Sequence, residues 1–154
     1  MFDLPFEIAN EEKIVRAIMC PSHIKTGKNT LKPAAFRSKA GTDDVSVIRH
    51  TYMGSDFCKA KAKEIATASA LNSYAGLAFL YASEIRATGS TVQDSRAEYC
   101  GHAHISHGIV LSPGEPPESK MNMFLTERCR EIIKRSVFYP DPDPDARAWT
   151  GPLI

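Results

Sequence analysis

The chain of 154 residues contains no long apolar run. No window approaches the roughly 18 apolar residues that a membrane-spanning helix needs. The first residues, MFDLPFEIANEEK, carry acids where a secretory signal would carry Lys or Arg. We therefore expect a cytoplasmic protein, and we expect its four cysteines to be free thiols.

Familiar chemical motifs are also lacking. The cysteines, at positions 20, 58, 100 and 129, form no Cys-x-x-Cys pair, which argues against a zinc ribbon and a thioredoxin-like redox site. The Gly-rich phosphate loop, His-Glu-x-x-His, Gly-x-Ser-x-Gly and helix-turn-helix patterns are absent. The net charge of +1 favours neither a nucleic-acid coat nor a membrane-surface protein. No motif therefore names a reaction.

The hydrophobic pattern predicts two helices and several short strands. Apolar residues at helical spacing predict helices over residues 56–71, with Ser55 as N-cap, and over residues 120–135. Apolar or alternating stretches predict strands at 14–19, 34–37, 45–49, 77–81, 91–93, 97–111 and 137–139. This order predicts a single α+β domain over residues 1–139, a mainly antiparallel sheet with both helices on one side.

The C-terminal segment, residues 140–154, begins with alternating prolines and aspartates. Because proline has no backbone N–H, this pattern excludes a helix and an inner strand. We expect an extended acidic arm that lies off the domain core and binds a partner protein or a neighbouring subunit. Trp149 is its candidate aromatic anchor.

Histidines concentrate in residues 97–111, AEYCGHAHISHGIVL, which hold three of the five in the chain. On a strand His102 and His104 project from one face, roughly 7 Å apart. Two imidazoles at that distance can bind one divalent metal ion if another residue adds a ligand. The candidates for that ligand are Asp94, Glu98, His50 and Cys58. The alternatives are a catalytic acid–base role or a solvated strand face, and we expect no metal.

Cys58 is the second candidate for chemistry. If Ser55 caps the helix, Cys58 occupies the third helical position, where free N–H groups and the helix dipole lower the pKa of a thiol. With His102 or His104 as base it would form a Cys–His nucleophilic site. Cys58 also lies on the apolar stripe of the helix, which favours an ordinary core position.

A basic stretch runs from Lys13 to Lys39, with seven basic residues and no acid. Such a stretch is suited to phosphates or to an acidic protein surface. Its candidate binding residues are Lys25, Lys28, Lys32 and Arg37. Phe36 is the only Phe, Tyr or Trp in this stretch, which weakens the interpretation that it binds single-stranded nucleic acid. A solvated basic surface is the simpler alternative.

Three functional hypotheses follow. The first is a small accessory protein that binds within a larger, bacterial complex; the lack of a complete catalytic constellation, the extended C-terminal arm and the basic stretch favour it. The second is a hydrolase-type enzyme centred on His102 and His104, metal-dependent or assisted by Cys58, and it requires a shared pocket. The third is nucleic-acid binding through residues 13–39.

Overall fold

The computed structural model describes residues 3–25 and 27–154. Its strands are β1 (Lys13–Cys20), β2 (Asp44–Arg49), β3 (Ser73–Tyr81), β4 (Thr91–Asp94), β5 (His102–Ser106) and β6 (Val137–Pro140). Its helices are α1 (His50–Met53), α2 (Ser55–Thr67), α3 (Ala82–Ala87) and α4 (Lys120–Arg135). The strands form one antiparallel sheet in the order β4-β5-β2-β1-β3-β6. The predicted α+β class with a mainly antiparallel sheet is confirmed.

The two long helices pack on opposite faces of the sheet. Ile14 of β1 belongs to the core under α4, with Leu125, whereas its neighbour Val15 belongs to the core under α2, with Cys58 and Ala62. The prediction that both helices lie on one side is therefore wrong. The continuous apolar run in β1 is typical of a strand that is buried on both faces.

Two predicted elements differ in the structure. Residues 34–37 were predicted as a strand, but Pro33–Phe36 form a 3₁₀ helix. Pro33 occupies its first turn, where the fixed φ of proline suits a helix start. The His-rich stretch 97–111 was read as a strand, but the strand in the structure covers only His102–Ser106, which is β5. Helix α4, by contrast, begins and ends where its apolar spacing predicts, and Ser119 caps it by accepting a hydrogen bond from the Asn122 N–H.

Helix α2 starts near the predicted residue but by other means. Gly54 occupies the N-cap position, and no side chain of residues 3–25 and 27–154 caps the helix. The Ser55 hydroxyl instead lies 2.8 Å from Nε2 of His50. The helix ends at Thr67, four residues before the predicted end at Leu71.

The sheet consists of two halves that are joined at one end only. Strand β1 pairs with β3 along its whole length, but it pairs with β2 at only two positions, Ile14 with Arg49 and Val15 with Ile48. Beyond them the two strands diverge and leave a gap in the sheet. The side chain of Arg16 lies in this gap.

The joined end is held by a buried arginine. The Arg49 guanidinium forms ion pairs with Glu12 at 2.8 Å and with Asp94 at 2.7 Å, and it also donates to the backbone carbonyls of Pro5 and Glu7. These contacts attach the N-terminal segment to the ends of β2 and β4.

A buried lysine attaches the C-terminal segment. Lys59 of α2 has no exposed side-chain area and forms an ion pair with Asp141 at 3.0 Å. Its ammonium group also donates to the carbonyl oxygens of Asp143, at 2.7 Å, and Ala148, at 2.9 Å. The Tyr74 hydroxyl donates to the same Asp141 carboxylate at 2.5 Å.

The end of this segment completes the core under α2. Ile154 is buried in that core, and Trp149 packs against it. The expectation that residues 140–154 extend away from the domain core is therefore wrong. The prolines do prevent regular secondary structure beyond β6. Backbone carbonyls that therefore lack a partner in a helix or strand accept hydrogen bonds from Lys59 instead.

We predict that Asp141→Asn destabilises the protein by about 3 kcal/mol, because it leaves the buried Lys59 cation without its carboxylate. Urea unfolding measures the change, and Asp145→Asn, at an exposed position, is the control. An equal effect of the two substitutions would contradict a stabilising role for the ion pair.

The same pair predicts a pH dependence. Burial opposes ionisation of Asp141, but hydrogen bonds from Tyr74, from the Asp143 N–H and from Lys59 hold its pKa below the ordinary value. A carboxyl group with a lowered folded-state pKa stabilises above its unfolded pKa of about 3.9 and loses that contribution as the pH falls. The difference in unfolding free energy between wild type and Asp141→Asn should therefore shrink from pH 7 to pH 3.

Candidate functional site

His102 and His104 project from the same face of β5. They alternate with Ala103 and Ile105, which are buried in the core under α4. Both imidazoles therefore lie on the opposite side of the sheet, the side of α2. His102 is buried, whereas His104 is half-buried.

His102 lies between two serines. Its Nε2 is 2.9 Å from the Ser46 hydroxyl of β2, and its Nδ1 is 2.5 Å from the Ser95 hydroxyl and 3.3 Å from the Ser95 carbonyl oxygen. Because a carbonyl oxygen only accepts, we assign the imidazole hydrogen to Nδ1. Nε2 is then free to accept the proton of the exposed Ser46 hydroxyl.

The imidazole of His102 is suited to act as a neutral base. Burial lowers its pKa, and the hydrogen bond to the Ser95 carbonyl oxygen opposes this shift only in part. The ring of Tyr99 packs edge-on against His102, with 4.9 Å between the ring centroids. His102 is therefore uncharged at neutral pH, and its lone pair faces Ser46.

Of the predicted further metal ligands, Glu98 is exposed, whereas Asp94 and His50 have other contacts. Asp94 binds Arg49 and Arg96, and His50 lies against Ser55. Within residues 3–25 and 27–154, no group of three or more His, Cys, Asp or Glu side chains is arranged to hold a metal ion. That His102 and His104 bind no metal ion remains a prediction.

The environment of Cys58 differs from the one that was predicted. The side chain is fully buried under the sheet, and this burial raises the pKa of the thiol to about 12. The prediction of a lowered pKa for the Cys58 thiol is therefore wrong, because loss of water disfavours a thiolate more than the helix terminus favours it. Among the described residues, no hydrogen bond joins Cys58 to His102 or His104.

The gap between β1 and β2 opens into a cleft of about 650 Å³. Arg16, Arg37 and Lys39 from the basic stretch line it, together with His23. Asp44 is the only acidic residue among the described residues that line it. We call this feature the cationic cleft.

Arg16 brings a half-buried positive charge to the cationic cleft. Its Nε donates to the Ala35 carbonyl at 2.8 Å and its Nη1 to the Ser46 carbonyl at 2.9 Å. Burial lowers the pKa of Arg16 to about 10, so the guanidinium remains charged at neutral pH. Within the described part of the chain, no ion pair with a carboxylate neutralises it.

His23 adds an uncharged donor. Its Nδ1 accepts a hydrogen bond from the Met19 N–H at 3.1 Å, so Nε2 carries the hydrogen. Burial, and then the nearby Arg16 charge, hold the pKa of His23 down to about 4. His23 was missed in the sequence because nothing in the local pattern links it to Arg16.

The structure separates the predicted binding residues. Arg37 lines the cationic cleft and binds Asn122 and Thr126 of α4. Lys25 and Lys28 are exposed in the loop after β1, and Lys32 donates to the Pro21 carbonyl, so these three lysines lie outside the cleft lining. Trp149, the proposed anchor for a partner, packs on its own domain, with its indole N–H bonded to the Pro152 carbonyl oxygen.

Comparisons of the chain with protein-family models, with curated proteins and with solved structures found no match. In the described ranges, no helix is both long and apolar enough to cross a membrane. The geometry around His102 and the cationic cleft therefore carries the information about function.

We predict that a disulfide thiol reagent modifies native Cys100 quickly and Cys58 and Cys129 only after unfolding. Cys100 is exposed, whereas the other two are buried, and burial raises the pKa of both. The measurement is the time course of modification at each cysteine, followed by peptide mapping before and after addition of denaturant. Cys100→Ser is the control that removes the Cys100 contribution, and the half-buried Cys20 is mapped separately. Fast native modification of Cys58 would contradict its burial.

We also predict that the purified protein carries no stoichiometric divalent metal. His104→Gln removes the imidazole that a metal site at His102 and His104 would need, while it keeps size and polarity. Elemental analysis of wild type beside this variant is the test. A metal that is present in wild type and lost in the variant would contradict the prediction.

Proposed function

We propose that the protein is a small accessory protein that binds a phosphate-bearing ligand in the cationic cleft. The observation that carries this proposal is the convergence of Arg16, Arg37 and Lys39 around one cleft whose described lining holds a single acidic residue. Arginine forks match phosphate oxygens, and their hydrogen bonds to anions are charge-assisted. His23 supports the proposal because its Nε2–H adds a neutral donor.

The size of the cationic cleft favours a compact ligand. Its volume of about 650 Å³ falls in the usual range of small-molecule pockets, about 300–1,000 Å³. No Phe, Tyr or Trp is among the lining residues that the structure describes, so no aromatic surface is available for base stacking. The proposed ligand is therefore recognised through its phosphate, either as a free nucleotide or as the phosphorylated end of a nucleic acid.

This proposal joins the accessory role of the first hypothesis to the phosphate binding of the third. Packing of residues 140–154 on their own domain removes the observation that favoured a docking arm. Burial of Cys58 removes the thiol from the enzyme hypothesis. We further propose that the protein acts in the cytoplasm, where its thiols stay reduced and nucleotides are abundant.

Binding experiments test the proposal. We predict that Lys39→Ala weakens binding about tenfold, because it removes one charge-assisted contact to the ligand. Titration calorimetry with a nucleoside triphosphate measures one arm. Fluorescence polarisation with a labelled oligonucleotide, with and without a 5′-phosphate, measures the other. Lys28→Ala is the matched control, since Lys28 is an exposed lysine of the same stretch outside the cleft lining.

The outcomes separate the two sources of phosphate. Binding of the triphosphate alone identifies a nucleotide site, whereas tighter binding of the 5′-phosphorylated strand identifies a nucleic-acid end. Absence of binding to both, or equal weakening by Lys28→Ala and Lys39→Ala, would contradict the cationic cleft as the binding site. If the two lysines acted only through long-range attraction, added salt would reduce the effects of Lys28→Ala and Lys39→Ala alike.

A further inference from the structure

A serine hydroxyl paired with a buried histidine lies beside the cationic cleft. Ser46 of β2 is among the residues that line the cleft, and its hydroxyl is 2.9 Å from Nε2 of His102. We propose that Ser46 is a nucleophile activated by His102 and that the protein hydrolyses carboxylic esters. This activity goes beyond ligand binding and does not depend on it.

The arrangement has the three parts that an activated hydroxyl requires. Ser46 is an exposed residue, the base lies within hydrogen-bonding distance of its hydroxyl, and a third group orients the base. The third group is Ser95, whose hydroxyl and carbonyl oxygen both lie near Nδ1 of His102. Ser95 is a positioning residue, because it acts through the imidazole.

The exposure of the two residues supports this direction of proton transfer. His102 is only 7% exposed, whereas Ser46 is exposed to solvent. Tyr99 packs against the imidazole, and Ser95 occupies its Nδ1 side. The remaining nitrogen of the base therefore faces a hydroxyl that an incoming substrate can reach.

The charges nearby suit an acyl transfer. The Arg16 guanidinium donates to the Ser46 carbonyl oxygen at 2.9 Å, so a cation lies beside the residue that would bind the acyl group. An ester that carries an anionic group would place that group in the cationic cleft. This preference for anionic esters, unlike the reactivity of Ser46 itself, rests on the proposed function.

The reaction balances with water as the co-reactant. The Ser46 oxygen bonds to the ester carbonyl carbon while its proton passes to Nε2 of His102. The bond to the alcohol breaks, and the departing oxygen takes that proton. A water molecule then attacks the acyl-serine through the same base, releases the carboxylic acid and returns the hydroxyl to Ser46.

An uncharged fluorophosphonate tests the nucleophile on the full chain without a known substrate. The Ser46 oxygen bonds to phosphorus, the P–F bond breaks, fluoride leaves and the serine proton passes to His102. Intact mass should show one adduct per chain, and peptide mapping should place it on Ser46. Because the probe carries no charge, failure of labelling is distinct from failure of anion binding.

Two substitutions and one matched control define the base. Ser46→Ala should abolish labelling, and His102→Gln should slow it by about 100-fold, the lower range for loss of a general base. Ser73→Ala removes an exposed serine hydroxyl that has no histidine partner in the described residues. It should leave the labelling rate within about twofold, as for an ordinary surface substitution.

Ser95→Ala tests the positioning role. Nitrogen-15 NMR of wild type should report the His102 hydrogen on Nδ1, whereas the variant should report a mixture of tautomers and label more slowly. A purely structural role for Ser95 would leave both the tautomer and the labelling rate of the folded protein unchanged, and that result would overturn its assignment.

Ser73 provides an internal control that does not depend on any variant folding. It is an exposed serine at the start of β3 without a histidine partner in the described residues, and it should stay unlabelled in the same wild-type sample. Equal labelling of Ser46 and Ser73, or no adduct on the folded wild type, would overturn the proposal. Wild-type labelling rates in a folded His102→Gln variant would also overturn it.

Discussion

The limited pairing between β1 and β2 is the constraint on which the rest of the structure depends. Two three-stranded halves of the sheet meet at two residue pairs only, and Arg49 lies at this junction with Glu12 and Asp94. Buried charges are stable only when they remain paired, so these contacts hold the joined end. At the open end the strands diverge, and Arg16 of β1 donates to the Ser46 carbonyl of β2 and to the Ala35 carbonyl of the 3₁₀ helix.

Strand β2 connects the two functional features. In a strand the carbonyl groups lie in the plane of the sheet, whereas the side chains stand perpendicular to it. Ser46 therefore presents its carbonyl oxygen to Arg16 in the gap and its hydroxyl to His102 on the face of the sheet. One residue thus borders both the cationic cleft and the buried imidazole, which is why binding and reactivity are proposed for neighbouring positions.

The second core shows how polar and apolar contacts cooperate. Helix α2 covers its face of the sheet with small side chains such as Ala62, and the returning C-terminal segment adds Trp149 and Ile154. Lys59 makes this return possible, because its ammonium group binds the Asp141 carboxylate and two backbone carbonyls that the proline-rich chain leaves unpaired. An unpaired carbonyl in this place would otherwise cost free energy.

Local spacing by itself determined helix 120–135, strand 45–49 and the shared face of His102 and His104. Composition by itself determined the basic character of residues 13–39. Each of these follows from a period of 3.6 or 2 residues, or from composition, within a short window. Only the tertiary structure decided that the helices lie on opposite faces, that Lys59 holds residues 141–154, and that Ser46 meets His102. Ser46 and His102 are 56 positions apart in the sequence. Such pairs depend on strand order and register, which local periodicity does not encode.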